Sequence, residues 1–363
     1  MNNRNINTGK FILPLLCFLL LILLVLINVL ALTSDKESYG KIIFRLPSTS
    51  GQAWRYRLII ADGNLNRMHT VSDSTGSPAL SKDGNYIATG CQDPTDLCIY
   101  DVSDFDNYNM YPVASPNTAI LHREIELPSV CQSEIEQERF PEAESISWSP
   151  EGDQLIVVCE VKLGKHEVCS LFISSGIFQC WDDSKIDGDI ISAAWSPVED
   201  RIAITVINDT PYPKIYLADP DGGKNEYLIE GWSPDWSSDG NRISFFRWDE
   251  DVRFDNTGVL LPPVEGRYIY GGIAIIDKDG ENSEWIYRYP QYGSDDRYLS
   301  IWPFCERFYC KLTWSPDDRY IAFDSSLGGG HVYYIFRIDL KTKDIRILSS
   351  NLFHYYSNPD WGP

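Results

Sequence analysis

Trp148-Ser149-Pro150-Glu151-Gly152 returns as Trp195-Ser196-Pro197, Trp236-Ser237-Ser238-Asp239-Gly240 and Trp314-Ser315-Pro316-Asp317-Asp318, and each copy runs into an apolar strand. A degenerate copy, Leu80-Ser81-Lys82-Asp83-Gly84, stands ahead of these, and a truncated one, Pro359-Asp360-Trp361-Gly362-Pro363, closes the sequence. Self-similarity on such a period is the mark of an array of like units, and it outranks any single-site motif.

The residues after each phrase define the unit. Tyr86-Ile87-Ala88, Gln154–Val158, Arg201–Ile204, Arg242–Phe246 and Tyr320–Phe323 are rich in β-branched and aromatic residues and read as strands. A further strand ends in Asp in most copies: Leu97–Asp101, Lys214–Asp219, Gly272–Asp277 and Tyr334–Asp339. Turns such as Pro220-Asp221-Gly222-Gly223 lead into a weaker last strand, such as Tyr227-Leu228-Ile229. Four antiparallel strands per repeat make the blade of a propeller. The terminal phrase supplies only an inner strand, whereas Lys41–Leu46, Tyr56–Asp62 and Met68–Val71 read as second, third and fourth strands without a first. The expected fold is therefore all-β: a six-bladed β-propeller over residues 41–363, its sixth blade assembled from both chain ends so that no edge is left bare.

These phrases and strands resemble the TolB-type WD40-like propeller repeat, whose pattern runs Trp-Ser-Pro-Asp-Gly, an Ile-Ala-Phe strand, then Ile-Tyr and Asp. The resemblance spans most of residues 41–363 and implies the fold. It implies little about function, since the same repeat serves in periplasmic scaffold proteins, in the propellers of prolyl-oligopeptidase-type peptidases and in stand-alone extracytoplasmic proteins. The Gly-His…Trp-Asp pattern of eukaryotic WD40 blades is absent. The expectation is a stand-alone propeller without the extra N-terminal α/β domain of TolB.

From Phe11 to Leu32 the chain carries no charge, and a membrane-crossing helix needs about 20 such residues. Arg4 and Lys10 precede this run, which places the N-terminus in the cytoplasm. Residues 1–10 thus read as a short cytoplasmic N-terminus, 11–32 as a transmembrane signal-anchor, and 33–40 as a linker to a propeller in the periplasm or outside the cell. Removal of the segment as a signal sequence at Val29-Leu30-Ala31 is the alternative, disfavoured by its length. With 52 acidic against 31 basic residues, the net charge of -21 excludes nucleic acid and opposes anionic membrane surfaces.

Of nine cysteines, all but Cys17 follow the apolar segment, and an even number in an exported domain points to disulfides. Cys91 with Cys98 and Cys159 with Cys169 flank short connections and are expected as cross-strand pairs. Cys305 with Cys310 would close a small loop, leaving Cys131 with Cys180. The spacings fit no zinc pattern, so neither metal nor cofactor is expected.

Long intervals between phrases mark insertions at Ser103–Ser145, Asp249–Tyr270 and Gln291–Lys311, all expected on the face opposite the phrase turns. The anchor joins at Lys41 on the phrase-turn face, so the decorated face is expected to point away from the membrane. Loops of this length are usually functional. Their aromatic residues Tyr108, Tyr111, Phe254, Tyr268, Tyr270, Tyr292, Trp302 and Phe308 are candidate anchors for a protein, peptide or glycan, with packing of the loops onto the blades as the alternative. The recurrent Trp148, Trp195, Trp236, Trp314 and Trp361 read as core between blades. Asp235 and Asp360, each ahead of such a Trp, are expected in the central channel near Thr313 and Ser147, holding a cation, serving as acid and base, or capping turns. No Gly-x-Ser-x-Gly elbow, His-Glu-x-x-His helix or Gly-rich phosphate loop occurs. The leading expectation is a binding or scaffolding module rather than an enzyme; the alternative is a propeller lyase or glycoside-active enzyme using the channel carboxylates.

Overall fold

The structure, a computed structural model, describes residues 40–47, 56–91, 93, 95–105, 120–132, 143–162, 165–182, 186–210, 212–248, 271–288, 301–302, 310–327, 333–348 and 357–363. The described residues all belong to one compact unit, Tyr39–Pro363. The expected signal-anchor at 11–32 lies outside the described residues, among which no helix is long and apolar enough to cross a membrane.

The chemistry of the phrase accounts for the repeat. Within each turn a serine N–H donates to the carbonyl five residues on, from Ser81 to Tyr86, Ser149 to Gln154, Ser237 to Arg242 and Ser315 to Tyr320. The hydroxyl of the same serine accepts the returning N–H at 2.9–3.0 Å. It also donates to an acid inside the turn: Asp83, Asp153, Asp239 or Asp317. Each of these four turns carries one left-handed residue, which in three of them is Gly84, Gly152 or Gly240, at φ 69°, 74° and 67°. Asp318 stands there in the fifth blade at φ 56°, and its carboxylate accepts the N–H groups of Ser238 and Asp239 in the neighbouring turn at 2.6 and 3.2 Å. The strain of a non-glycine residue is thus offset by a tie between blades.

Two of these glycines should respond differently to alanine. A Cβ on Gly84 would sit 2.1 Å from the carbonyl oxygen of Pro363, whereas one on Gly152 meets nothing within 4 Å. Gly152→Ala should cost only the left-handed penalty of about 1–2 kcal/mol, and Gly84→Ala distinctly more, because Pro363, which follows the closing strand, must move. Urea midpoints of the two variants check this, and equal losses would refute it.

Six antiparallel sheets result. From channel to rim, blade 1 contains Ala79–Leu80, Tyr86–Gly90, Asp96–Asp101 and Ile120–Glu126. Blade 2 contains Ala143–Trp148, Gln154–Lys162, Lys165–Phe172 and Ile177–Cys180, and blade 3 Asp189–Trp195, Ile202–Ile207, Lys214–Ala218 and Asn225–Glu230. Blade 4 contains Trp232–Trp236, Arg242–Arg247, Gly272–Asp277 and Glu284–Arg288. Blade 5 runs from Leu312–Trp314 through Tyr320–Leu327 and Tyr333–Asp339 to Ile345–Ile347. A short strand, Ile301–Trp302, continues its inner edge by pairing with Leu327 and Ser326. Blade 6 joins Ser357–Gly362 to Lys41–Pro47, Tyr56–Asp62 and Met68–Ser74, in the register Lys41 to Gly362, Ile42 to Trp361 and Ile43 to Asp360. Apolar clusters fill the spaces between blades: Trp148 packs with Ala88 and Ile99 of blade 1, and Trp361 with Tyr320 and Ile335 of blade 5.

Two expectations need correction. Cys91–Cys98 is bonded as expected, but Cys131 pairs with Cys159 and Cys169 with Cys180. The register explains why: Cys159 lies opposite Glu167, and Cys169 opposite Val157 on one side and Cys180 on the other. The 3-10 turn Ser129–Gln132 carries Cys131 to Cys159. Cys310 is disulfide-bonded, and Cys305 lies outside the described residues. Non-reducing peptide mapping should recover a Cys169–Cys180 peptide and no Cys159–Cys169 peptide, and Cys180→Ser should cost about 2–4 kcal/mol.

The second correction concerns the first insertion. Ile120–Glu126 is the fourth strand of blade 1, with Ile120 opposite Asp101 and Glu126 opposite Asp96. The connection 102–119 therefore leaves and returns at the phrase-turn end, since Asp101 pairs with Tyr86. Only 127–142 goes to the other end, where the flanks of 249–270 and 289–311 also lie.

Candidate functional site

Side chains alternate along a strand, so each inner strand and the residues leading into it send two layers into the central channel. The layer beside the phrase tryptophan consists of Ala79, Ser147, Ala194, Asp235, Thr313 and Asp360. The layer two residues earlier consists of Ser77, Ser145, Ser192, Ser233, Lys311 and Asn358. Together they line a cavity of about 1240 Å³.

The first layer closes the ring. Ser147 Oγ accepts the Trp195 N–H at 2.8 Å, Asp235 Oδ2 that of Trp314 at 3.0 Å, Thr313 Oγ1 that of Trp361 at 3.1 Å, and Asp360 Oδ2 that of Leu80 at 2.6 Å. Where alanine offers no side-chain acceptor, the next indole takes over: Trp148 Nε1 donates to the Ala79 carbonyl and Trp236 Nε1 to that of Ala194, both at 3.0 Å. All six seams are bridged in this way. The tryptophans are buried, as core between blades requires. In the second layer Ser233 Oγ donates to the Cys310 carbonyl at 2.6 Å and Asn358 Nδ2 to Ser77 Oγ at 2.5 Å.

Apart from Lys82 in the first phrase turn, the charged residues of the wall come from blades 4 to 6. Asp235 belongs to blade 4, Lys311 and Asp324 to blade 5, and Asp360 and Arg45 to blade 6. In the two layers, blades 1–3 supply only serine and alanine. Asp324 is 3 % exposed and accepts the Lys311 and Asn358 N–H groups at 2.8 and 3.0 Å, tying blade 5 to blade 6. Burial, reinforced by the Asp360 carboxylate, pushes Asp235 up to about 8. Burial also raises Asp360, and lifts Asp324 to about 6 against the N–H groups it accepts. The Lys311 ammonium is lowered by burial against the pull of Asp360, Asp235 and Asp324. Asp235 and Asp360 do line the channel near Thr313, whose hydroxyl donates to Asp360 Oδ1 at 3.4 Å. Sequence reasoning missed Lys311, Asp324 and Arg45; counting back two residues from Thr313 along the inner strand finds Lys311.

Among the described residues one group has metal-ligand proximity, Cys91, Cys98 and Glu124. Its two sulfurs are bonded to each other, which removes them as ligands. The channel carboxylates form no such group.

No protein-family model and no curated protein matches the chain. Among solved structures it superposes on TolB from Acinetobacter baumannii with a TM-score of 0.58 and 18% identity, covering 89% of this chain and 67% of that one. It also superposes on a putative TolB from Agrobacterium tumefaciens with a TM-score of 0.51 and 16% identity, covering 88% and 91%. The fold is that of a TolB-type propeller. At these identities the likeness concerns architecture, and the site must be argued from this chain's own residues.

Of the aromatic candidates on this TolB-type propeller, Tyr108, Tyr111, Phe254, Tyr268, Tyr270, Tyr292 and Phe308 lie outside the described residues. Trp302 falls in the short strand at the inner edge of blade 5. Tyr108 and Tyr111 belong to the connection whose flanks lie at the phrase-turn end, apart from the others.

Proposed function

We propose that this chain is an extracytoplasmic, membrane-anchored propeller that binds or scaffolds a protein, peptide or glycan through the face bearing the connections 127–142, 249–270 and 289–311. The observation that carries this reading is the strand topology, which sends all three connections from one end of the propeller. Cys91–Cys98 and Cys131–Cys159 brace that same end, and disulfides favour an oxidising compartment. Against an enzyme stands the use of Asp235 and Asp360 as acceptors for backbone N–H groups of the next blade, a task that accounts for both without chemistry.

Cross-linking mass spectrometry on cells producing the full-length protein tests the reading. Partner cross-links concentrated in 127–142, 249–270 and 289–311 are the expected result, and links confined to the phrase turns would sink it. One observation favours the second reading, a lyase or glycoside-active enzyme: Asp235 is held protonated near neutrality beside a second acid, the pairing that separates an acid from a base. That reading requires activity on a polysaccharide that Asp235→Asn abolishes.

A further inference from the structure

At the channel position two residues before the layer beside the phrase tryptophan, five blades carry serine or asparagine and blade 5 carries Lys311. Its backbone N–H donates to Asp324 at 2.8 Å, whereas its Nζ has neither a hydrogen bond nor an ion pair among the described residues. Asp360, Asp235 and Asp324 are close enough to pull on its charge, yet none of their oxygens comes within ion-pair distance. The amine therefore opens on the cavity of about 1240 Å³ with space between it and the carboxyl groups. Burial lowers Lys311, so near neutrality more of it is free amine than of a surface lysine. Asp235 on the adjacent blade keeps its proton up to about 8. Its Oδ2 accepts the Trp314 N–H, and its half-buried side chain lines the channel.

We infer that Lys311 captures a carbonyl compound as an imine, and that the compound is a hydroxylated aldehyde such as the open-chain end of a sugar. The inference goes beyond the binding reading above and uses channel residues alone, so the docking face does not bear on it. The Nζ lone pair adds to the carbonyl carbon, and a proton passes from nitrogen to the former carbonyl oxygen, giving a carbinolamine. Asp235 then protonates that hydroxyl, water leaves as nitrogen forms the double bond, and a cationic imine remains beside the Asp235 carboxylate. No other reactant is consumed, and an ion pair replaces a neutral acid and a neutral amine. A lysine kept only to balance the carboxylates would reach into ion-pair contact with them, which Lys311 does not. The hydroxylated class follows from the wall. Ser145 and Ser192 donate their hydrogens to the Ala193 carbonyl and the Thr205 hydroxyl, which leaves oxygen lone pairs for the hydroxyl groups of a ligand.

The test treats full-length protein in detergent micelles with glyceraldehyde or propanal and excess cyanoborohydride, and maps the reduced adducts by peptide mass spectrometry. At about pH 7, Lys311 should be labelled about tenfold or more faster than the exposed Lys224 and Lys343. Asp235→Asn keeps an oxygen for the Trp314 N–H and should lower the ratio of Lys311 to Lys224 labelling about tenfold or more at that pH. At about pH 9.5 the parent's Asp235 is ionised and has no proton to give, so there the ratios of parent and variant should agree within about threefold. A ratio lowered equally at both pH values, or at neither, overturns the part assigned to Asp235. The ratio for glyceraldehyde should exceed that for propanal about threefold or more, and equal ratios overturn the hydroxylated class. Labelling of Lys311 no faster than that of Lys224 with either aldehyde near neutrality overturns the inference.

Discussion

A chain lacking residues 357–363 should not close its ring, and should be recovered as aggregate or as a species unfolding at much lower urea. Six of these seven residues form the inner strand of blade 6, which touches three blades. Trp361 lies opposite Ile42 and stacks on Tyr320 of blade 5 at 6.3 Å and 14°. Asp360 accepts the Leu80 N–H of blade 1, and Asn358 donates its N–H to Asp324 and its amide to Ser77. Without them Lys41–Pro47, five of whose seven residues are buried, becomes an open apolar edge prone to pairing with another chain. Trp361→Ala alone keeps the backbone pairing and should cost about 3–5 kcal/mol, the usual loss for a large aromatic in a core. Size-exclusion chromatography and urea midpoints check both variants, and a synthetic peptide of residues 349–363 added during refolding should restore the monomer. A truncated chain that elutes as a monomer with an unchanged midpoint would contradict this role of the C-terminus.

The phrase was legible because each of its residues has a separate local task. Trp fills the space between blades, Ser receives the returning strand, the acid holds the serine hydroxyl, and Gly turns left-handed. All but the tryptophan act within their own turn, and the tryptophan meets the neighbouring blade in the same way at each seam, so most copies display them. Long-range register was not legible. Cys159 and Cys169 look like partners by spacing, but a shift between Lys165 and His166 fixes which residues face each other and hands Cys169 to Cys180. The fourth strand Ile120–Glu126 escaped notice for another reason: five of its seven residues, including Ile120 and Leu121, are exposed, so no buried face left an alternating pattern. In the site, Asp235 and Asp360 were visible by their place before a tryptophan. Asp324 and Arg45 were not, because they reach the channel from second strands where nothing in the repeat marks them.

Asp235→Asn should make the propeller more stable at pH 9 and nearly unchanged at pH 4.5. Asp235 ionises in the folded protein only near 8, raised first by burial and then by Asp360, whereas in the unfolded chain it ionises near 4. Between those values the native state binds more protons, so stability falls as pH rises, by at most about 1.4 kcal/mol per pH unit. Below about 4 both states are protonated and above about 8 both are ionised, so the loss is confined to that window and complete at its upper end. The partial opening of Asp235 to the channel tempers the total to a few kcal/mol. Asparagine carries no charge at any of these pH values, and its Oδ1 accepts the Trp314 N–H in place of the carboxylate oxygen. The variant should therefore lose the part of the slope that belongs to Asp235 and retain those of Asp324 and Asp360, both also raised. Lys311→Met works in the opposite direction: removing the cation that attracts Asp235 and Asp360 raises both carboxyls further and carries the fall to higher pH. Urea midpoints measured from pH 4.5 to 9 for the three proteins decide the matter. Parallel curves for the parent and Asp235→Asn would mean that Asp235 titrates as an ordinary surface carboxylate and is not held protonated near neutrality.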